Sequence, residues 1–481
     1  MNELAPVTEH KLLPRIRQLI WLYFWLLIIE GALRKWVAPA LSNPLLIIRD
    51  PVVIAIYIFA IRARIFPRNG WMTALWIVGL LSLALSFVTL WPYLPPERIA
   101  LVSGFGFRSN FVHLPLLFVM QKALRVDDVK KFGWWTLLVL IPMTALMVLQ
   151  FRASPDAFVN RTAGGEGESM LAALGKVRTS ATFSFVIGVV SYFSIATAFL
   201  IWGALKRAYP NWLLVSSAIA LVIGIAVSGS RSVVGACAVV VASLGVVLIL
   251  RPSAVNRVGQ ILLATVVLGW AISKAPVFKE GVDVLTTRFT DVAEATEQSV
   301  AKDVFTRSLS SFTDGLYVLT KAPFLGYGLG VGTNAGAKFL VGRSTFLLSE
   351  GEWSRIFLES GPLLGLAYVI WRCALIFPIG AFCLRAVRRG EILPLLLFST
   401  AFLALLSGQF GQPTVLGFAV FGTGLALAAF NERPIRGVAD LGSPGGDRSP
   451  GRPMARLSPY ASRLHRPPHV PEDHRNGSAD R

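Results

Sequence analysis

The residues best equipped for chemistry in this chain are arginines and glutamates set between long apolar runs. Arg231 stands in Val227-Ser228-Gly229-Ser230-Arg231-Ser232, a polar turn joining two apolar segments. A guanidinium beside the hydroxyls of Ser228 and Ser230, at the start of a helix, presents converging donors suited to a phosphate. A turn arginine whose head only snorkels to the membrane surface has the same sequence. Further along comes Ser349-Glu350-Gly351-Glu352-Trp353-Ser354-Arg355, running into Ile356-Phe357-Leu358-Glu359-Ser360-Gly361. Glu352, Arg355 and Glu359 recur every three or four residues, so a helix places them on one face as the chain enters the membrane. A carboxylate, a guanidinium and a carboxylate so aligned can accept a proton and stabilise an anion, or can form an ion-pair ladder at a helix end. Between these motifs lies Pro323-Phe324-Leu325-Gly326-Tyr327-Gly328-Leu329-Gly330-Val331-Gly332. No strand-turn-helix unit surrounds it, so a glycine-rich turn at the membrane edge is expected rather than a nucleotide loop.

These residues must be positioned by membrane-spanning helices. Of the 481 residues 54% are hydrophobic and 15% charged, too apolar for a soluble domain, in which about 25% are charged. Runs such as 71–90, 134–150, 212–227 and 233–250 approach the roughly 20 residues a helix needs to cross the hydrocarbon. The fold class expected is all-α and polytopic, with about 12 transmembrane helices. The pattern places them near 18–33, 44–61, 71–91, 105–121, 134–151, 181–203, 212–228, 232–250, 257–273, 356–384, 392–408 and 412–430. The first follows Lys11, Arg15 and Arg17 and runs on into Glu30-Gly31-Ala32-Leu33-Arg34-Lys35 without a small-x-small cleavage site, which reads as a retained span.

Alternate loops are basic: Arg62, Arg64 and Arg68; Lys122, Arg125, Lys130 and Lys131; Lys206 and Arg207; Arg251 and Arg257; Arg385, Arg388 and Arg389. The positive-inside rule puts these loops and both termini in the cytoplasm. The transmembrane domain then covers 1–433, with outward (periplasmic) loops about 152–180, which carries Arg178, and 273–355 between helices 9 and 10. Residues 434–481 are rich in Pro, Gly, Ser and Arg and read as a disordered cytoplasmic tail. The net charge of +19 serves topology and anionic lipid in this arrangement, so a bilayer and not nucleic acid is the partner expected. Cys237, Cys373 and Cys383 all lie in apolar runs, which suggests neither a disulfide framework nor a cysteine metal site. His465, His469 and His474 lie in the solvated tail.

Taken in order, the Ser228-Gly229-Ser230-Arg231 turn, the Pro323 to Gly328 loop and the Leu358-Glu359-Ser360-Gly361 helix resemble the bacterial O-antigen ligase and polymerase superfamily. The resemblance is carried by residues 225–370; the earlier half agrees in hydropathy and helix count. It implies a fold of the membrane glycosyltransferase C type and metal-independent, cofactor-free transfer of glycan from an undecaprenyl-diphosphate carrier. The reaction would lie on the outward face of the inner membrane, in O-antigen or exopolysaccharide assembly, beside other polysaccharide export proteins. Arg231 matches the family's arginine after its polar turn; with Arg178 and Arg355 it would bind the diphosphate, while Glu352 or Glu350 takes the acceptor's proton, supported by Ser228, Ser230 and Glu359. Many ligases of the family carry a histidine before this helix, where the present chain has Glu350 and Glu352. That departure points to a polymerase or an exopolysaccharide ligase. A flippase for lipid-linked oligosaccharides is the alternative, since it also needs many helices and cations facing phosphate.

Overall fold

The computed structural model describes residues 5–165, 171, 174–252, 259, 276–296, 312–343 and 345–430. The tail expected over 434–481 lies outside them, as does the helix expected over 257–273 apart from residue 259.

The described residues form helices and turns, with one isolated bridge between Leu171 and Val177. Helix α1 (Ala5–Ala32) runs on as a π-helical turn, Leu33–Val37. Asp50 and Pro51 start α2 (Asp50–Arg62), as an acidic residue and a proline in the first turn favour. The Asn69 side chain accepts from Met72 N at 3.0 Å and caps α3 (Gly70–Leu90). Then come α4 (Pro96–Phe107), α5 (Leu116–Ala123), α6 (Val126–Arg152) and α7 (Val186–Lys206). Helix α8 (Asn211–Val227) passes to α9 (Arg231–Leu250) through Gly229, whose φ of 58° suits a residue without a side chain. The last five are α10 (Pro276–Thr296), α11 (Asn334–Val341), α12 (Glu352–Arg388), α13 (Leu393–Ser407) and α14 (Pro413–Ala428).

Among the described residues seven helical stretches are long and apolar enough to cross a membrane, and α8, α13 and α14 are shorter apolar helices. The protein is thus an all-α, multi-pass membrane protein. Helix α14 is the centre: every residue from Val415 to Ala428 is buried, against α13, α5, α7 and α1. A helix apolar all round is stable only when surrounded, and α14 is.

Three elements differ from the pattern expected. The span expected over 105–121 is broken into α4, a π-helical turn Arg108–Val112 and α5, because Pro115 cannot continue a helix. The stretch 273–355, expected as a loop, contains α10, which packs along α8, and α11, which packs on α4. Helix α12 begins at Glu352 rather than 356 and is broken at Gly361 (φ 73°, ψ 173°), leaving Pro362–Arg388 as the long segment.

Contacts sort the loops into two ends. Arg17 donates to Ala123 O and pairs with Asp128, Tyr209 donates to Lys130 O, Lys206 donates to Gly390 O, and Arg251 lies against Gly390. Arg17, the 122–131 loop, the 206–209 loop, Arg251 and the 385–390 loop therefore share one end of the bundle. At the other end Lys35 and Arg34 reach Ser180 and Ser184, Thr179 reaches Val227, Arg49 reaches Pro413, and Asn110 reaches Arg355.

Candidate functional site

The second end holds three charged groups of residues. The first is built on α12. Arg355 donates from Nε and Nη2 to Glu352 Oε2 (3.1 and 2.9 Å), from Nη1 to Glu359 Oε2 (2.7 Å) and from Nη2 to Asn110 Oδ1 (3.0 Å). Arg372, from beyond the break, donates from Nη1 to Glu352 Oε1 at 2.8 Å. Its Nε donates to Leu405 O and its Nη2 to Ala404 O and Gly408 O, so it caps the carbonyl end of α13, where Ala404 O also accepts from Gly408 N. The guanidinium also stacks on Phe410, 3.5 Å from the ring centroid. Two carboxylates and two guanidiniums make this group neutral, and the side chains of Glu352, Glu359 and Arg372 are 0% exposed.

The glycine-rich loop locks the break in α12. Tyr327 N donates to Leu358 O at 2.7 Å, Gly328 N to Glu359 O at 3.0 Å and Gly332 N to Glu359 Oε1 at 2.9 Å. A Cβ at Gly326 or Gly361 would collide with the opposite backbone, so both positions need glycine for close approach as well as for positive φ. The loop thus has a structural role.

Glu350 and Glu352 lie in different surroundings. Glu352 also accepts from Phe410 N at 3.2 Å, so both of its oxygens are engaged and shielded. To take a proton from an acceptor it would have to break a buried ion pair, so its geometry fits positioning and not the proton transfer expected of it. Glu350 is exposed and borders a shallow cleft, lined also by Thr333, Asn334, Gln409 and Gln412 and reaching down to Glu352 and Arg355. Gln409 Nε2 bonds the Glu350 carbonyl, leaving the carboxylate outside that contact. Arg355 likewise faces two carboxylates and is not placed as an open phosphate ligand.

The second group lies where the segment carrying Arg178 meets the turn before Arg231. Thr179 Oγ1 donates to Val227 O at 3.1 Å, holding the 176–179 segment against the turn before Arg231. Lys176 pairs with Glu280 on α10 at 2.6 Å, and Gly281 packs on Ala226. Three segments therefore converge around this turn. Ser228 Oγ donates to Ile225 O and accepts from Ser230 N, which shapes the turn and leaves little capacity for a ligand. Ser230 is 7% exposed and starts α9 without a side-chain cap.

The third group lies between α1, α2 and the turn after α4; the spacing of four between Glu30 and Arg34 predicts their pairing, and the rest of the group is unforeseen in the sequence. Glu30 pairs with Arg34 (3.5 Å) and Arg49 (3.2 Å), while Asp50 pairs with Arg108 (2.5 Å) and His113 (2.8 Å). Tyr23 Oη lies 3.3 Å from the other ring nitrogen of His113. Arg49 Nη2 donates to Pro413 O at 2.7 Å, passing over Gly417, where any side chain would occupy the guanidinium's place. Glu30, Arg34, Arg49 and Arg372 carried one available signal, an ionisable residue inside an apolar run.

No known protein family model and no curated protein sequence matches the chain.

Proposed function

We propose that this protein is a membrane glycosyltransferase. It moves glycan from an undecaprenyl-diphosphate carrier to a glycan or lipid acceptor in O-antigen or exopolysaccharide assembly, as a polymerase or ligase resembling the O-antigen ligase superfamily. The observation that carries this is the gathering, at the end of the bundle away from the basic loops, of an open carboxylate on a cleft, Glu350, and a cationic turn, Arg178 with Arg231. By the positive-inside rule that end faces the periplasm and both termini the cytoplasm. Eleven crossings among the described residues then comprise the seven long stretches, α8, α13 and α14, and the α4–α5 pair. At about 1.5 Å per residue α8, α13 and α14 span roughly 22–26 Å, enough for a bilayer that thins locally.

In the reaction an acceptor hydroxyl attacks the anomeric carbon. The bond from that carbon to the carrier's diphosphate oxygen breaks, and the bonding pair stays on the diphosphate. Glu350 receives the hydroxyl proton, and Arg178 and Arg231 stabilise the charge growing on the leaving group. Glu352, Arg355, Glu359 and Arg372 hold the cleft floor rigid beneath Glu350.

The test is reconstitution in lipid with an undecaprenyl-diphosphate oligosaccharide and an acceptor glycan, without nucleotide or metal. Glycan transfer that is lost in Arg231→Ala and Glu350→Gln, at normal protein level, is expected. Movement of labelled carrier between leaflets without transfer would make the protein a flippase instead.

A further inference from the structure

We infer that the buried cations Arg34, Lys35, Arg49 and Arg108 form a seat for a phosphate group, separate from the Arg178 and Arg231 pair. Charge carries the inference. Three guanidiniums and one ammonium stand where the carboxylates within reach are Glu30 and Asp50. Both oxygens of each carboxylate are already engaged, Glu30 by two arginines and Asp50 by Arg108 and His113. Lys35 Nζ bonds only neutral oxygens, Ser180 Oγ at 2.7 Å and Ala181 O at 3.0 Å. None of the four cations is more than 8% exposed. Guanidinium cannot shed its proton at any physiological pH, so at least one positive charge here is held in a low-dielectric setting without a counter-charge. Such a charge is strongly unfavourable unless something anionic meets it.

Unfilled donor capacity agrees with the charge count. Arg49 Nη1 and Arg108 Nη1 are buried with no hydrogen-bond partner. Buried polar groups in folded proteins nearly always have one; Arg49 Nη1 packs on Gly417 of α14, so Arg108 Nη1, beside the linker, is the nitrogen that calls for an acceptor. Other donors here meet weak acceptors on the 38–48 linker: Arg34 Nε bonds Ser42 O and Arg108 Nη2 bonds Leu46 O. Phosphate oxygens are stronger acceptors than those carbonyls and match the planar fork of arginine. Leu41 (55% exposed) and Ile47 (44%) lie on this linker, which is therefore the surface segment nearest these cations. A phosphate bears one or two negative charges, which is the imbalance these residues present.

The phosphate can belong to a lipid headgroup of the bilayer or to a soluble or carrier-borne diphosphate, and the experiment separates the sources. The full chain is placed in nanodiscs of neutral phosphatidylcholine, and thermal unfolding is followed by tryptophan fluorescence. Inorganic diphosphate is titrated in solution, or phosphatidylglycerol is substituted into the bilayer. The midpoint is expected to rise with the logarithm of concentration for at least one source. A response to inorganic diphosphate assigns the seat to a diphosphate, and a response to phosphatidylglycerol alone assigns it to a lipid headgroup. Arg108→Gln and Lys35→Met are expected to weaken the response about tenfold or more, whereas the double variant Arg178→Gln/Arg231→Gln keeps it. Lys35→Met breaks no ion pair, so it carries the test if Arg108→Gln does not accumulate. A midpoint indifferent to both sources overturns the proposal, as does a response that survives Lys35→Met and disappears in the Arg178/Arg231 double variant. Because binding is read rather than glycan transfer, failure of the enzymatic function leaves this result interpretable.

Discussion

Arg372 and Glu352 are 20 residues apart on opposite sides of the break at Gly361, yet Arg372 Nη1 meets Glu352 Oε1 at 2.8 Å with neither side chain exposed. The pair ties the two pieces of α12 to each other and, through the remaining nitrogens of Arg372, to the end of α13. Removing one partner leaves a buried charge alone. Arg372→Ala is therefore expected to destabilise the protein by about 3–5 kcal/mol, while Glu352→Gln, which keeps the shape, costs less. Thermal unfolding in detergent measures both, and equal midpoints for wild type and Arg372→Ala would show that the pair stabilises nothing.

Glu350 and Glu352 are adjacent in chemistry and opposite in setting. Glu350→Gln is expected to lower glycan transfer about 10²–10⁴-fold and to change stability by no more than about 0.5 kcal/mol, as usual at an exposed site. Glu352→Gln should show itself first in the unfolding midpoint. Rates and midpoints measured side by side decide the assignment, and a normal rate in Glu350→Gln returns the proton transfer to another group.

Arg178 and Arg231 sit on adjoining segments, so their effects on a shared diphosphate should couple. Each alanine variant is expected to reduce kcat/KM by a factor of about 10–100, the worth of about one or two charge-assisted hydrogen bonds. In the double variant the losses should fall short of multiplying. Strictly multiplicative losses in a double-mutant cycle would mean that the two arginines act on different groups.

Gly361 holds φ at 73° with its Cα against the Phe324 carbonyl, and Gly326 faces it from the loop. Gly361→Ala adds left-handed strain of about 1–2 kcal/mol to a backbone collision, so a lower unfolding midpoint is expected. Gly326→Ala should behave alike, and because the two positions touch, the double variant should lose less than the sum.

Gly417 leaves the passage through which Arg49 reaches Pro413. Gly417→Val would push that guanidinium off Glu30 in the middle of the bundle, with an expected loss of about 3 kcal/mol or more. Gly422→Ala, where the nearest atoms are Thr400 Oγ1 at 3.2 Å and Ala401 Cβ at 3.4 Å, serves as the mild control on the same helix. Similar unfolding midpoints for the two variants would refute the assignment.

By itself the sequence determined that this is a helical membrane protein, because runs of apolar residues near 20 long state their own burial and leave the backbone no other way to satisfy its hydrogen bonds. The shared face of Glu352, Arg355 and Glu359 was also legible, since spacing of three and four is a property of one helix. So was the cationic turn at Arg231, a local feature of two helices meeting. Only the tertiary structure decided what those residues touch. The Gly361 break changes the phase of α12, so no period connects Arg372 to Glu352. Asn110, 245 residues from Arg355, comes to it by the packing of distant helices. The same holds for Arg49, Asp50, Arg108 and His113, whereas the Glu30–Arg34 pair, four residues apart, is local. Local geometry follows from neighbouring residues, whereas whether a carboxylate is open like Glu350 or enclosed like Glu352 depends on which helices close over it, and that is settled by packing alone.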